Sequence, residues 1–578
     1  MPTSVSIHAE SICDPRGTFR KTPVQLASRL ASLEGKTVLL FDNTQLDSQR
    51  PNYGPVFQWL AEYFRNEHGA TCSHKTHNLL KEPKEGLAEL AFEVSQSGVH
   101  GVVIALCNAG ITQPSSLFAA ELECRGVPCV QMCTDLGYAL AGVTASNYVP
   151  GLPIVVAKRA TGDEETFGKT ETDGLAPEVA SGLTTDPGVL LAAFRERFAF
   201  TASGSAEDGT LRLQSFTVTA TTHPEGGAAV VIDPGRFSAE LYESLCAKDI
   251  GDGFPVIPPT EARVAAMLAL TDLDPEEALI DELPPSGASV SVRTLAVNAV
   301  MAGCRSEYFP ILVAAFQAIA EPAYRAYQGA ITTHPSGNAV IVSGPLADEL
   351  GIHSGPGCLG PGFRANATFG RAVNLTIMNV ARAIPGKSDL GVFGSPAEFT
   401  YCFAESDKDN PWQALHTELY GPEVTSVTLH KCEGPHNVLD PRAGPEDLLR
   451  AIAATGATLG GNNRVHPGQL LVILNPSQAA MISRAGWTKR HVKEFLFEIA
   501  RHPSEVIRGQ ERATFPPHFM KLREVPVMRS PDDAIVVVCG GRGTHAMVGV
   551  PWGLAQAVSR PVVQKDGSPL RTLRGVFR

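Results

Sequence analysis

The sequence predicts an α/β protein: an open parallel-sheet domain on the N-terminal side, followed by a larger mixed α/β or α+β unit. Between Lys21 and Ala160, apolar runs of four to eight residues alternate with helix-like stretches, the pattern of parallel strands covered on both faces. From Thr161 to Gly209 the chain turns rich in Gly, Ser, Thr, Asp and Glu, which predicts a linker or surface segment. The 578 residues also exceed the roughly 250–300 that one core sustains, so residues 210–578 are expected to form a second unit.

The first domain reads in order. KTVLLFDN, from Lys36, is a strand ending in Asp42 and Asn43. YGPVFQWLAEYFRNEHG and LAELAFEVSQSG are helices closed by Gly69 and Gly98. GVVIALCN is the second strand, PSSLFAAELECRG a helix stopped at Gly126, VPCVQMCTD the third strand and LPIVVAK the fourth. In the second unit, LRLQSFTVTATT and AAVVID alternate like an antiparallel pair. RTLAVNAVMAGC, FPILVAAFQAIAE and ATFGRAVNLTIMNVARA read as helices, QLLVILN and DAIVVVCGG as strands.

Composition narrows the class of function. Lys plus Arg total 48 against 60 Asp plus Glu, a formal charge of −12, and no basic stripe offers itself to phosphates, so nucleic acid is not an expected partner. There is no run of 18 apolar residues and no apolar stretch behind the N-terminal charges, so a soluble cytoplasmic protein without membrane partners is expected. Twelve cysteines are too few for a disulfide scaffold. A homo-oligomer is compatible with this composition, and no motif names a cofactor. The Cys72–His77 run and the Cys124, Cys129, Cys133 series lack the usual spacing of a zinc site, so no metal is assigned.

In open α/β sheets ligands lie beyond the carboxyl ends of the strands. Three such ends carry polar residues: Asp42 and Asn43, Cys107 and Asn108, Thr134 and Asp135. Cys107 is the candidate nucleophile or base, with Asn108 and Asp42 as polar partners. A helix starting near Pro114 would favour its thiolate, while packing of a small apolar residue explains the same cysteine without chemistry.

GVVIALCNAGITQPSSLFAAELECRGVPCVQMCTD resembles the core of a bacterial family named for a selenocysteine-Gly-Ser-Cys (UGSC) motif, related in outline to the substrate-binding selenoprotein of glycine reductase. The resemblance implies sulfur-linked redox or lyase chemistry. The motif's positions fall on Asn108, Ala109, Gly110 and Ile111, so both redox residues are replaced and Cys107 stands one place early. GDGFPVIPPTE, RANATFGRAVNL and PHNVLD in the second unit resemble segments from the same family's neighbourhood. ALCNAG is also similar to the Cys-Asn element of aspartate/glutamate racemases, which implies proton exchange next to a carboxylate.

In the second unit, HSGPGCLGPGFRANATFGRAV reads as a Gly-rich loop entering a helix. Arg364, Asn366, Thr368 and Arg371 are its candidate anion-binding residues, because guanidinium forks at a helix start suit a carboxylate or phosphate. His436 and Asn437 form a further polar break expected to face substrate. GPGCLG satisfies a G-x-G-x-x-G pattern without a preceding strand, and VVVCGGRG could set backbone N–H groups beside a ligand. The sum is an expected enzyme acting on a small anionic, carboxylate-type substrate through a cysteine-containing site. Racemase-like proton transfer and ligand binding without catalysis are the alternatives.

Overall fold

Residues 3–7, 12–19, 22–43, 54–79, 82–107, 111–157, 169–198, 210–211, 216–220, 241–440, 444–507 and 514–573 are described by the structure, a computed structural model. The first domain is built on five parallel strands: β1 (Thr37–Asp42), β2 (Thr71–Thr76), β3 (Gly101–Cys107), β4 (Cys129–Thr134) and β5 (Ile154–Ala157). Their order in the sheet is β2-β1-β3-β4-β5. The chain therefore steps outward from β1 on one side and from β3 on the other, a doubly wound arrangement with its switch point between β1 and β3.

Both faces are covered, which is why β1 and β3 are apolar almost throughout. Val38, Leu40, Val103 and Ala105 pack under α1 (Gly54–His68) and α5 (Lys169–Thr184). Leu39, Phe41, Val102, Ile104 and Cys107 pack under α2 (Lys84–Gln96), α3 (Thr112–Cys124) and α4 (Asp135–Tyr148). Gly69, Gly98 and Gly126 end their helices at φ of 61°, 78° and 81°, a backbone state that other residues adopt only with strain.

Edge strand β2 escaped the sequence reading because TCSHKT is polar and largely exposed. The segment 161–209, expected as a linker, is corrected: α5 and α6 (Pro187–Arg197) occupy much of it. Ala176, Val179, Ala180 and Leu183 of α5 are buried against the sheet, an amphipathic stripe concealed by the polar composition around it. Of the expected antiparallel pair, the first member alone is described. Phe216–Ala220 pairs with Thr3–Ile7, and Thr210–Leu211 with Ile12–Cys13. AAVVID lies outside the described residues.

The second unit is mixed α/β, with two four-stranded sheets face to face. One has the order β7-β6-β8-β13, from β6 (Gly337–Ser343), β7 (Cys402–Ala404), β8 (Ser426–Cys432) and β13 (Val558–Pro561). The other has the order β9-β12-β10-β11, from β9 (His436–Leu439), β10 (Leu470–Leu474), β11 (Ala534–Val538) and β12 (His545–Gly549). Alternation sorts the side chains. Ala339, Ile341, Phe403, Leu471, Ile473, Ile535 and Val537 fill the layer between the sheets. Val340 and Val342 face α7 (Val292–Ala302), α8 (Phe309–Ile319) and α9 (Arg364–Ala381), while Val472 and Val536 face the helices at Pro445–Gly456 and Lys489–Ile499.

Residues 12–18 bind the N-terminal segment to the second unit. Ile12 and Cys13 belong to its core, and Asn298 Nδ2 donates to the Pro15 carbonyl at 3.0 Å. From the domain side, Asn147 Nδ2 reaches the Ser286 carbonyl at 2.6 Å and the Tyr148 hydroxyl reaches Glu282 at 3.0 Å.

Within the first domain, Glu123 of α3 is buried and ties three segments together. It pairs with Arg29 at 2.8 Å and accepts the backbone N–H groups of Ala27 at 2.7 Å and Cys129 at 2.6 Å. Burial raises its pKa, and Arg29 with the two N–H groups opposes that rise. Glu123→Ala would leave the Arg29 guanidinium, 2% exposed, without its counter-charge. The expected loss is about 3–5 kcal/mol of stability, with a smaller loss for Glu123→Gln, read by denaturant unfolding; a loss below about 1 kcal/mol for Glu123→Ala contradicts this account.

Candidate functional site

The switch point brings the ends of β1 and β3 together, and the side chain beside the thiol is Asn43, not Asp42. Strand residues alternate between faces. Phe41 lies on the α3 face with Cys107, so Asp42 turns to the α1 face, where it meets His74 at 3.9 Å. Asn43 returns to the Cys107 face, and its Nδ2 approaches Cys107 Sγ at 3.4 Å and also donates to Ser115 Oγ. Asn108, the other expected partner, lies outside the described residues.

The first turns of α3 close the site from above. Thr112, Gln113, Ser115 and Ser116 are all fully buried, although each is polar. Ser116 Oγ donates to Gln131 Oε1 at 2.8 Å, and Gln131 Nε2 returns to the Thr112 carbonyl at 3.2 Å, which fixes the start of α3 to β4. Among the described residues, four atoms of this cluster have no hydrogen-bond partner: Asn43 Oδ1, Thr112 Oγ1, and Gln113 Nε2 and Oε1. Among the described residues, neither Ile111 nor Thr134 caps its helix through a side chain, so the starts of α3 and α4 bring backbone N–H groups and their partial positive charge to this end of the sheet.

Gly137 in the first turn of α4 packs directly against this cluster. A methyl group on it would stand 2.5 Å from Thr112 Oγ1 and 3.1 Å from the Cys107 carbonyl, so only glycine fits. Nothing in the local string DLGYAL announces this close approach.

The thiol itself is not the activated thiolate that a helix start suggested. Cys107 is fully buried, and burial raises its pKa, with hydrogen bonds from Ser115, Asn43 and Gln131 pulling it back only in part. At rest it is a neutral thiol surrounded by donors.

In the second unit, the groups expected to bind an anion have partners within the protein. Arg364, the first residue of α9, donates through Nε and Nη2 to the Gly303 carbonyl at 3.1 and 2.9 Å. Arg371 holds Asp252 bidentately at 2.7 and 2.8 Å and also reaches the carbonyls of Phe254 and Pro255. Asn366 braces the preceding loop through the His353 N–H and the carbonyls of His353 and Cys358. Thr368 Oγ1 donates back to the Arg364 carbonyl at 2.8 Å. His436 and Asn437 lie exposed on β9, where His436 bonds the Asn437 carbonyl and Asn437 Oδ1 pairs with His545. The partners of Arg364 and Arg371 stand 61 to 119 residues away in sequence, beyond the reach of a local motif.

One polar cluster was missed. Lys431, buried at the end of β8, donates to Asn338 Oδ1 at 2.8 Å, which also accepts from the Tyr324 hydroxyl at 2.5 Å. Burial lowers the lysine pKa to about 8, against the pull of Glu398 and Asp389. The available signal was a lysine inside the strand SVTLHKC.

Two outcomes follow. Cys107 should be alkylated by iodoacetamide at pH 7.5 more slowly than the exposed Cys124 and Cys246, as peptide mass mapping would reveal; faster labelling of Cys107 contradicts the neutral, buried thiol. Arg371→Lys keeps a charge but loses the fork on Asp252, so stability should fall by about 1–3 kcal/mol in calorimetric unfolding, whereas an unchanged melting temperature would return Arg371 to the candidate ligand groups.

No curated protein and no solved structure matches the chain. The model of the UGSC family matches residues 11–185, a span that takes in all five parallel strands and helices α1 to α5. The match ends one residue past the end of α5. Over residues 11–185 the chain is thus similar to the UGSC family.

Proposed function

We propose that the N-terminal domain is an enzyme site for a small carboxylate-bearing metabolite, and that Cys107 moves a proton at the carbon next to the carboxylate. The observation that carries this reading is the set of buried, unpartnered polar atoms at the switch point. Each costs about 1–3 kcal/mol while unsatisfied, a cost that a bound ligand removes. The uncapped starts of α3 and α4 suit a carboxylate. Asn43 Oδ1 and Gln113 Oε1 accept, so they suit a hydroxyl or amino group on the same small molecule.

For Cys107, the resting thiol gives up its proton to solvent in a minor fraction, and hydrogen bonds from Ser115, Asn43 and Gln131 stabilise that thiolate; it takes the α-proton, the C–H electron pair passes to the carboxylate, and the thiol returns a solvent-exchanged proton to the carbon. Sulfur-linked redox or lyase chemistry has less support, because Asn108 and Ile111 stand at the two redox positions of the family motif. A second reading, binding without catalysis, is favoured by the complete burial of the thiol. The twelve cysteines are all free, which suits the reducing cytoplasm where we place the protein. Among the described residues, no helix is long and apolar enough to cross a membrane.

The test is a thermal-shift screen of small hydroxy- and amino-carboxylates against the wild type, Gln113→Ala and Arg364→Lys. A stabilising ligand should lose at least tenfold in affinity in Gln113→Ala and keep it in Arg364→Lys; the opposite pattern overturns the placement. For that ligand, deuterium should enter the α-carbon in D2O with wild type and not with Cys107→Ala. Binding without deuterium entry in the wild type would leave the binding-only reading.

A further inference from the structure

Two Gly-rich strings that are 181 residues apart meet in the second unit. GPGCLG lies in the loop between β6 and α9, and CGG follows β11. The Gly540 N–H donates to the Ser354 carbonyl at 2.7 Å, and a Cβ on Gly541 would stand 3.1 Å from Pro356, so the two segments lie in contact. Asn366 holds the loop from its other side through the Cys358 carbonyl at 3.0 Å. Between the segments, Cys358 Sγ and Cys539 Sγ stand 3.6 Å apart at the edge of the apolar layer between the two sheets.

The two sulfurs differ in their surroundings. The two thiols share one hydrogen bond at 3.6 Å, and the N–H groups of Cys358 and Gly540 bond the carbonyls of Gly355 and Ser354. With Cys358 ionised, the Cys539 S–H donates to it, which lowers the pKa of Cys358, and the same bond, with burial, raises that of Cys539. This is a division between an attacking thiol and a resolving thiol. The residues are 4% and 2% exposed, so only a small reagent reaches them.

We propose that Cys358 and Cys539 form a dithiol redox site that a small peroxide converts reversibly to a disulfide. The Cys358 sulfur attacks one peroxide oxygen; the S–O bond forms, the O–O bond breaks, and the other oxygen leaves as water or alcohol with the thiol proton. The Cys539 sulfur then attacks the Cys358 sulfur. The S–S bond forms, the S–O bond breaks, and the hydroxyl leaves as water with the Cys539 proton. Two thiols are oxidised by two electrons and one peroxide is reduced. Closing the gap from 3.6 Å to the ~2.05 Å of a disulfide asks for movement of the glycine-rich loop toward the end of β11.

The full-length protein is treated with a few equivalents of hydrogen peroxide, blocked with N-ethylmaleimide and digested with trypsin without reduction. Tryptic peptides 326–364 and 530–542 each contain one cysteine. The expected product is their cross-linked pair, two hydrogens lighter than the sum and separated again by dithiothreitol. In Cys539→Ser, Cys358 should stop as a sulfenic acid that dimedone labels; in Cys358→Ser, neither cross-link nor dimedone adduct should form at Cys539. If the wild type shows oxidation at the exposed Cys124 and Cys246 while 358 and 539 stay as maleimide adducts, or cross-links through other cysteines, the pair is a packing contact and the proposal falls.

Discussion

The arrangement of the first domain depends on one topological constraint. Because the chain leaves β1 and β3 in opposite directions across the sheet, no crossover connection joins their carboxyl ends among the described residues. The apolar runs of both strands follow from the helices that cover both faces, and the polar residues Asn43 and Cys107 follow from the point where that cover stops. Helix α3 then lays Thr112, Gln113, Ser115 and Ser116 over the crevice. Their burial has a desolvation cost, and Gln131, Ser116 and the Thr112 carbonyl offset only part of it. The remainder, the unpartnered atoms of Asn43, Thr112 and Gln113, is the physical basis for placing a ligand there.

The second unit meets the same cost differently. Its arginines find carbonyls and Asp252 within the protein, so α9 is braced and not open. Its two sheets trap a layer of apolar side chains, and the exceptions at the margin of that layer, Cys358 and Cys539, stand against Gly-rich turns. Glycine matters in both places for one reason: a Cβ on Gly137 or Gly541 would meet the opposing segment at 3.1 Å or less.

Much of the fold was legible in the sequence, because it is written in period and punctuation. β1, β3, β4 and β5 announced themselves as apolar runs, and Gly69, Gly98 and Gly126 marked where helices end. What failed has a common cause. Strand β2 is a polar edge, α5 carries its apolar stripe inside a polar composition, and the pairing of Phe216–Ala220 with Thr3–Ile7 joins distant segments. The site was legible as a location but not as a set of contacts. Cys107 at a strand end could be read, whereas the exchange of Asp42 for Asn43 required the pleat of a neighbouring strand. The partners of Arg364 and Arg371 were not legible because they lie far along the chain. Lys431 was passed over inside a strand where its burial was invisible.

The central claim, that the crevice between β1 and β3 receives a small carboxylate, is tested most directly by a crystal structure of the full chain grown with a saturating hydroxy- or amino-carboxylate. The account predicts electron density within hydrogen-bond distance of Gln113 and Asn43, with the carboxylate toward the start of α3 and Cys107 facing the adjacent carbon. Density instead beside the Arg364 or Arg371 guanidinium group, with the crevice closed and empty, would contradict it.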